Sequence, residues 1–216
     1  MTDPNAWRAL VPRRTDRALF VGMTGSGKTT LAQRLLDHRK HVVCYDGKGT
    51  LNWPGYKLVT DLSRLYREKS PRMVYRPSVA AMQDEDAKEE FFAWLYARGN
   101  TTLYVDEAYT LGAGDDMPFS LRAILTRGRE HGLESWTATQ RPMRIPQEMI
   151  SEAEHVYCFK LRMEQDRKKL AQVAGVDPDT IRVDVKRDFL YFREDSAAPF
   201  GPFRLALTPT NGTATR

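Results

Sequence analysis

Short apolar runs alternate with longer amphipathic segments along most of the chain. Each apolar run is short enough for a strand, and the segments between them place leucines or aromatic residues at helical spacing. Strands that alternate with helices predict an α/β fold with a mainly parallel central sheet flanked by helices. The predicted strands are 18–22, 41–46, 72–78, 101–109, 134–140 and 155–161. The predicted helices are 29–38, 84–99, 117–132, 146–153 and 163–175.

Segments outside this alternation complete the plan of the chain. Residues 51–61 are interpreted as loop and edge structure. Residues 181–194 have the pattern of a C-terminal β-hairpin, with Lys186, Arg187 and Asp188 near its turn. The length of 216 residues suits one domain. We therefore expect a flexible N-terminal arm at 1–16, a single domain at 17–205 and a disordered tail at 206–216.

Composition narrows the class of protein only a little. Hydrophobic residues make up 41% of the chain and charged residues 28%. No apolar run approaches the roughly 20 residues of a membrane span, and the N-terminus has no signal-peptide core. These features predict a protein that works inside a cell, with Cys44 and Cys158 as buried, reduced thiols. The net charge of +5 permits a polyanionic partner without demonstrating one.

The segment GMTGSGKT follows the first predicted strand and precedes the first predicted helix. It fits G-x-x-x-x-G-K-[ST] at every fixed position, which is the phosphate-binding P-loop. Its backbone N–H groups and the helix N-terminus would face phosphate oxygens, Lys28 would reach the β- and γ-phosphates, and the Thr29 hydroxyl would hold Mg²⁺. The predicted nucleotide-binding residues are Thr24, Gly25, Ser26, Gly27, Lys28, Thr29 and Thr30.

An acidic pair ends the fourth predicted strand, in LYVDEA. Asp106 is placed to hold Mg²⁺, and Glu107 beside it can orient or deprotonate an attacking water. The strand 101–106 can lie beside the P-loop strand, which favours this interpretation over a solvated acidic pair. A phosphotransferase would not need the glutamate, whereas an ATP-hydrolysing motor does.

Three further polar residues have a functional and a plain structural interpretation. Gln140 ends the fifth strand, where its amide could sense the γ-phosphate or simply face water. Arg127 and Arg129 bracket a glycine at a predicted helix end. They could act as a finger on the nucleotide of a neighbouring subunit, or only complement the helix dipole.

The order of these motifs resembles the FtsK–HerA superfamily of DNA-pumping ATPases. GMTGSGKT, VVCYDGKG, LYVDEA and the run from RGREHG to ATQRP occur in the family's order, over roughly residues 17–175. The resemblance implies a RecA-like P-loop NTPase core of the ASCE class that binds ATP and Mg²⁺ and forms a ring around DNA. It also implies Asp106 at Mg²⁺, Glu107 as catalytic base, Gln140 as sensor, and an arginine near 127–129 as the trans finger.

The chain shows no membrane spans, winged-helix domain, N-terminal β-barrel or all-helical insert. On size it is similar to the genome-packaging ATPases of tail-less icosahedral viruses with an internal membrane. That branch implies a hexameric ring that pumps double-stranded DNA without sequence preference, capsid or vertex partners, and a place in the host cytoplasm or at a virion vertex. The alternatives are a cellular or plasmid FtsK/HerA-like pump, a P-loop phosphotransferase and a phage morphogenesis protein.

The residues that touch DNA are not marked by any motif. Asp46-Gly47-Lys48 ends the second strand and could organise the nucleotide site or face DNA. Other basic residues are possible contacts, although each is more often a solvated surface charge. They are Lys57, Arg64, Arg67, Lys69, Lys186 and Arg187.

Overall fold

The computed structural model describes residues 8–112, 117–196 and 198–206, and in them one nine-stranded sheet forms the centre of the fold. The strands are β1 (Ala18–Val21), β2 (Val42–Asp46), β3 (Lys57–Val59), β4 (Arg72–Tyr75), β5 (Thr102–Asp106), β6 (Glu134–Thr139), β7 (His155–Phe159), β8 (Asp188–Arg193) and β9 (Phe200–Arg204). Their order across the sheet is β3-β4-β2-β5-β6-β1-β7-β8-β9.

Helices cover both faces of this sheet. They are α1 (Lys28–Leu36), α2 (Leu62–Leu65), α3 (Val79–Gln83), α4 (Glu85–Arg98), α5 (Phe119–Arg127), α6 (Glu148–Ser151) and α7 (Glu164–Ala174). Successive strand residues point to opposite faces, so Leu19 joins the core beneath α4, α5 and α7, while Phe20 joins the core beneath α1. Burial on both faces explains why the central strands are continuous apolar runs rather than alternating ones. The predicted α/β class is confirmed.

The sheet is parallel from β3 to β7, and β8 and β9 continue it as an antiparallel hairpin. The sequence interpretation allows the strand of Asp106 to lie beside the P-loop strand, but in the structure β6 lies between β1 and β5. The register still aligns their ends, because Val21 is opposite Thr139 on β6 and Val105 is opposite Thr137. The P-loop, Asp106 and Gln140 therefore meet at one edge of the sheet.

The C-terminal hairpin exists, but its predicted position is wrong. Its strands are β8 and β9, and residues 182–187 are not strand. Ile181 and Val183, whose alternation suggested a strand, are instead buried in the core on the α7 side of the sheet. β9 contains Pro202, which a sheet tolerates in an edge strand. The proline is the reason that the sequence pattern does not predict a strand here.

The N-terminal segment is attached to the domain at several points. Leu10 is buried, and its carbonyl accepts a hydrogen bond from Tyr157. Arg39 donates to the carbonyl of Pro12 at 2.6 Å. The boundaries of the flexible arm stay a prediction, and residues 207–216 of the predicted tail lie outside the described residues.

Two further expectations concern the thiols and the membrane. Cys44 and Cys158 are both buried free cysteines, as predicted, and burial raises the pKa of each thiol. Over the described ranges, we find no helix with the length and apolar character needed to cross a bilayer.

Candidate active site

The P-loop connects β1 to α1 and folds closely around its own lysine. Lys28 Nζ donates to the carbonyl oxygen of Gly22 at 2.6 Å and to that of Met23 at 3.3 Å. Gly27 has φ +115°, and a Cβ there would lie 2.7 Å from Leu205. Glycine is favoured at that position mainly because any other residue would be strained at this positive φ.

Burial sets the electrostatics of Lys28. The ammonium is almost inaccessible, and this desolvation lowers its pKa. The carboxylates of Glu107 and Asp106 act in the opposite direction and favour the charged form. A cation held against backbone carbonyls, with two carboxylates nearby, is placed to exchange these partners for phosphate oxygens.

Asp106 and Thr29 form the pair predicted to hold a metal ion. The Thr29 hydroxyl donates to Asp106 Oδ1 at 3.3 Å, and the Tyr104 hydroxyl donates to the same oxygen at 3.0 Å. Burial is the main cause of a raised pKa at Asp106. A hydroxyl and a carboxylate this close supply the hard oxygen ligands that Mg²⁺ prefers, so the donor set fits the ion.

Glu107 has two unusual features. The residue is only 4% exposed, and among the described residues its Oε2 atom has no hydrogen-bond partner. Its backbone is left-handed, with φ +56° and ψ +62°, a conformation that costs about 1–3 kcal/mol for a non-glycine residue. Lys48 Nζ lies 3.8 Å from Oε1. A buried oxygen with spare acceptor capacity beside a metal-binding aspartate is suited to bind an attacking water.

A second buried carboxylate shapes the adjacent loop, and sequence reasoning missed its partner. Asp46 is fully buried opposite Asp106 and accepts hydrogen bonds from the backbone of Thr50 and Leu51 at 3.1 and 3.0 Å. Arg76 Nε donates to it at 2.9 Å. Asp46 therefore organises the loop that carries Lys48 toward Glu107. No motif marks Arg76, because it comes from the end of the neighbouring strand β4.

Gln140 lies directly against the P-loop, at the edge where it was predicted. Its side-chain oxygen accepts a hydrogen bond from the Thr24 hydroxyl at 2.6 Å. The next residue, Arg141, donates through Nε to Asp166 at 3.1 Å, and Asp166 also accepts from the Met143 backbone at 3.0 Å. One continuous segment thus links the P-loop to helix α7.

The other predicted P-loop residues occupy the expected turn. Gly25 has φ +73°, and Thr30 lies in the first turn of α1. The buried Ser26 hydroxyl has no hydrogen-bond partner among the described residues. These positions are compatible with phosphate binding, and their roles stay predictions.

Arg127 and Arg129 lie at the opposite edge of the sheet from the P-loop. Arg129 pairs with Glu154, next to the start of β7, and Glu154 also binds Arg17 at 2.7 Å. Arg127 ends α5, is exposed, and forms no ion pair with any described residue. Neither arginine reaches the nucleotide edge of its own chain, so either could act only on a neighbouring subunit.

The sheet order, the P-loop and the acidic pair define the fold as that of a RecA-like P-loop NTPase with an additional strand, β6, between the two motif strands. The chain is 28% identical over 173 residues to the DNA packaging ATPase P9 of Enterobacteria phage PRD1, covering 77% of this chain and 74% of P9. No protein-family model matches the chain.

Solved structures agree with this fold. The genome packaging NTPase B204 from Sulfolobus turreted icosahedral virus 2, in complex with ATP-gammaS, superposes with a TM-score of 0.74 at 19% identity, over 89% of this chain and 98% of B204. The DNA-packaging ATPase B204 from Sulfolobus turreted icosahedral virus gives 0.70 at 18% identity, over 90% of this chain and all of B204. The predicted resemblance to viral packaging ATPases of the FtsK–HerA type is confirmed.

Proposed function

We propose that this chain is an ATP hydrolase that drives double-stranded DNA into a preformed viral capsid. The observation that carries the proposal is the convergence at one sheet edge of the P-loop, the Thr29–Asp106 pair and the Glu107 oxygen that has no partner among the described residues. Similarity to the packaging ATPases P9 and B204 supports the same assignment. The cellular, phosphotransferase and morphogenesis alternatives gain no comparable support.

In the proposed reaction each residue at this edge has one task. P-loop N–H groups and Lys28 would bind the phosphates, and Thr29 and Asp106 would hold the metal ion. Bound Mg²⁺ would neutralise charge on the β- and γ-phosphates. Glu107 orients the attacking water and accepts its proton, because its Oε2 atom is buried beside Asp106 and has no partner in the described part of the chain.

Gln140 is proposed to report the state of the nucleotide. Its contact with Thr24 places it on the P-loop, where a change at the γ-phosphate alters the hydrogen bond. Arg141 and Asp166 would then carry the change to α7, because they join the segment after β6 to that helix. This route couples hydrolysis to movement of an element outside the nucleotide site.

The proposed assembly is a ring, a hexamer by analogy with the family, at a capsid vertex or in the host cytoplasm before packaging. The trans finger would be Arg127 or Arg129 of the adjacent subunit. DNA contacts through backbone phosphates would make pumping independent of sequence and sensitive to salt.

The test is steady-state ATP hydrolysis with and without linear duplex DNA, for the wild type and Glu107→Gln. We expect duplex DNA to stimulate the wild type. The variant should bind ATP with similar affinity while its kcat falls by about 10²–10⁴-fold, because glutamine cannot accept the proton. A rate that ignores DNA and depends on a small acceptor molecule would instead identify a phosphotransferase.

A further inference from the structure

A basic cleft opens at the amino-terminal edge of the sheet, away from the candidate active site. Its volume is about 560 Å³. Residues from the end of α1, the starts of β2, β5 and β6, and the N-terminal segment line it. The charged or histidine members of the lining are Arg14, His38, Arg39, Lys40, His41 and Glu134.

The cleft lies on the same strands as the nucleotide edge but at their other ends. β2 and β5 begin beside His41 and Thr102 in the cleft and end at Asp46 and Asp106. A five-residue strand spans about 16 Å, so a ligand in the cleft would not overlap a nucleotide on the P-loop.

The acidic group in the lining is already neutralised. Glu134 is buried and accepts from Arg39 Nε at 2.6 Å. Arg39 is further fixed by the Pro12 carbonyl at 2.6 Å and by stacking over Trp136, with 5.2 Å to the ring centroid. The charges of Glu134 and Arg39 therefore neutralise each other. The remaining cations of the cleft have no opposing carboxylate in the described lining.

Arg14 and Lys40 are the cations left available to a ligand. Both are exposed, and neither forms an ion pair with a described residue. Arg14 donates to the Asn100 side-chain oxygen at 3.2 Å, and both residues line the cleft. Partial burial lowers the pKa of His41, and Lys40, Arg98 and Arg14 lower it further, which reflects the positive potential there.

The floor of the cleft is closely packed and hydrogen-bonded. Asn100 is left-handed, with φ +42°, and its backbone donates to the His131 carbonyl at 2.8 Å. Gly132 has φ +67°, and a Cβ there would lie 2.6 Å from Asn100 Oδ1. The buried Thr101 hydroxyl donates to the Gly99 carbonyl at 2.8 Å. This floor fixes the position of Asn100, whose side-chain oxygen accepts the hydrogen bond from Arg14.

We propose that this cleft binds phosphate groups of the DNA backbone and forms a grip on the duplex at the edge opposite the ATP site. The ligand class follows from the uncompensated cations and from a volume larger than a single phosphate requires. None of the described lining residues is Phe, Tyr or Trp, so the cleft offers no platform for stacking a base. The proposal rests on the function above for the presence of DNA.

The test measures binding of a labelled 30-base-pair duplex by fluorescence anisotropy at several salt concentrations. The cleft variant is Arg14→Gln/Lys40→Gln. Loss of two phosphate contacts should weaken binding about 10- to 60-fold at 0.1 M NaCl and flatten the slope of log K against log salt by about 2. ATP hydrolysis without DNA should be unchanged, because the cleft does not touch the P-loop.

The matched control is Lys168→Gln/Arg182→Gln, which removes the same charge from exposed, ion-paired positions. If the cleft variant binds duplex as the control does, the cleft is not a DNA site, although the proposed function stands. If the wild type binds no duplex under any condition, the proposed function itself fails. A titration with inorganic phosphate distinguishes DNA phosphate from free phosphate as the ligand. If the cleft variant loses phosphate binding while its DNA affinity is unaltered, the cleft is a site for free phosphate.

Discussion

Two buried carboxylates at the nucleotide edge have the central roles in the proposed hydrolysis of ATP. Asp106 and Glu107 are adjacent in the chain but differ in their surroundings. Asp106 accepts two hydroxyl hydrogen bonds, whereas one oxygen of Glu107 has none among the described residues. One carboxylate is thereby suited to hold a metal ion and the other to accept a proton. The burial of these two carboxylates does not stabilise the fold by itself, and such locally unfavourable arrangements are common at functional sites.

The raised pKa of Asp106 has a consequence for stability. The folded state binds a proton at Asp106 more readily than the unfolded state does, so stability falls as pH rises through this raised pKa. At neutral pH the ionised carboxylate is therefore destabilising. Asp106→Asn keeps the acceptor oxygen for Thr29 and Tyr104, removes the charge, and should raise the Tm of the nucleotide-free protein.

The measurement is thermal unfolding of the wild type and Asp106→Asn at several pH values. For a chain of this size each kcal/mol gained shifts Tm by about 2–4 °C. The gain should shrink as pH is lowered toward the pKa of the carboxyl, and Mg²⁺-dependent hydrolysis should be lost at all pH values. A variant less stable than the wild type at neutral pH would show that Asp106 stabilises the fold in its charged form.

At the scale of elements, α7 is joined to the segment after β6 by one buried side chain. Asp166 is 1% exposed and binds both Arg141 and the Met143 backbone. Asp166→Ala should destabilise the protein by about 1.5–3 kcal/mol, because it leaves a charged partner without its acceptor. It should also reduce any DNA stimulation of hydrolysis, since the proposed route from Gln140 to α7 is broken.

Urea unfolding measures the free energy of unfolding, and steady-state kinetics measures the stimulation of ATP hydrolysis by DNA. Glu164→Ala is the matched control, because Glu164 is an exposed carboxylate on the same helix, paired with Lys168. It should change stability by less than about 0.5 kcal/mol and leave stimulation intact. Equal effects of the two substitutions would mean that Asp166 has no special connection to the β6 segment.

The elements also show how far the sequence alone could reach. The strands beneath the P-loop and the acidic pair were predictable, because burial on both faces leaves continuous apolar runs that end in polar motifs. The link between Asp46 and Arg76 was not, since it joins two strands through side chains that no motif specifies. The hairpin was misplaced because Ile181 and Val183 alternate like a strand but are buried in the helix-covered core outside the sheet.

At the scale of the whole molecule, the two ends of the sheet have different tasks in the proposed motor. The nucleotide edge carries Lys28, Asp106 and Glu107, whereas the opposite edge carries Arg127 and Arg129. In the proposed ring, a chain arranged in this way would complete its site with an arginine from a neighbour. The arginines then differ, because Arg129 is held by Glu154 within its own chain while Arg127 is exposed without an ion pair among the described residues.

Mixing subunits tests whether an arginine acts in trans. Arg127→Ala alone should lower hydrolysis by about 10³-fold or more, as expected for loss of a finger. When it is mixed with Glu107→Gln, an Arg127→Ala subunit receives an intact arginine from its neighbour, so activity should exceed the sum of the two separate variants. The same experiment with Arg129→Ala shows which of the two arginines acts as the trans finger. No recovery in either mixture would exclude a trans role for both.

Displacement of a third strand from a DNA triplex measures translocation most directly. We expect the wild type with ATP and Mg²⁺ to move along the duplex and release the third strand. Glu107→Gln with ATP, and the wild type with a non-hydrolysable ATP analogue, should bind duplex but release none. If the wild type hydrolyses ATP in the presence of DNA without releasing the third strand, the chain is an ATPase that does not translocate, and the packaging account is wrong.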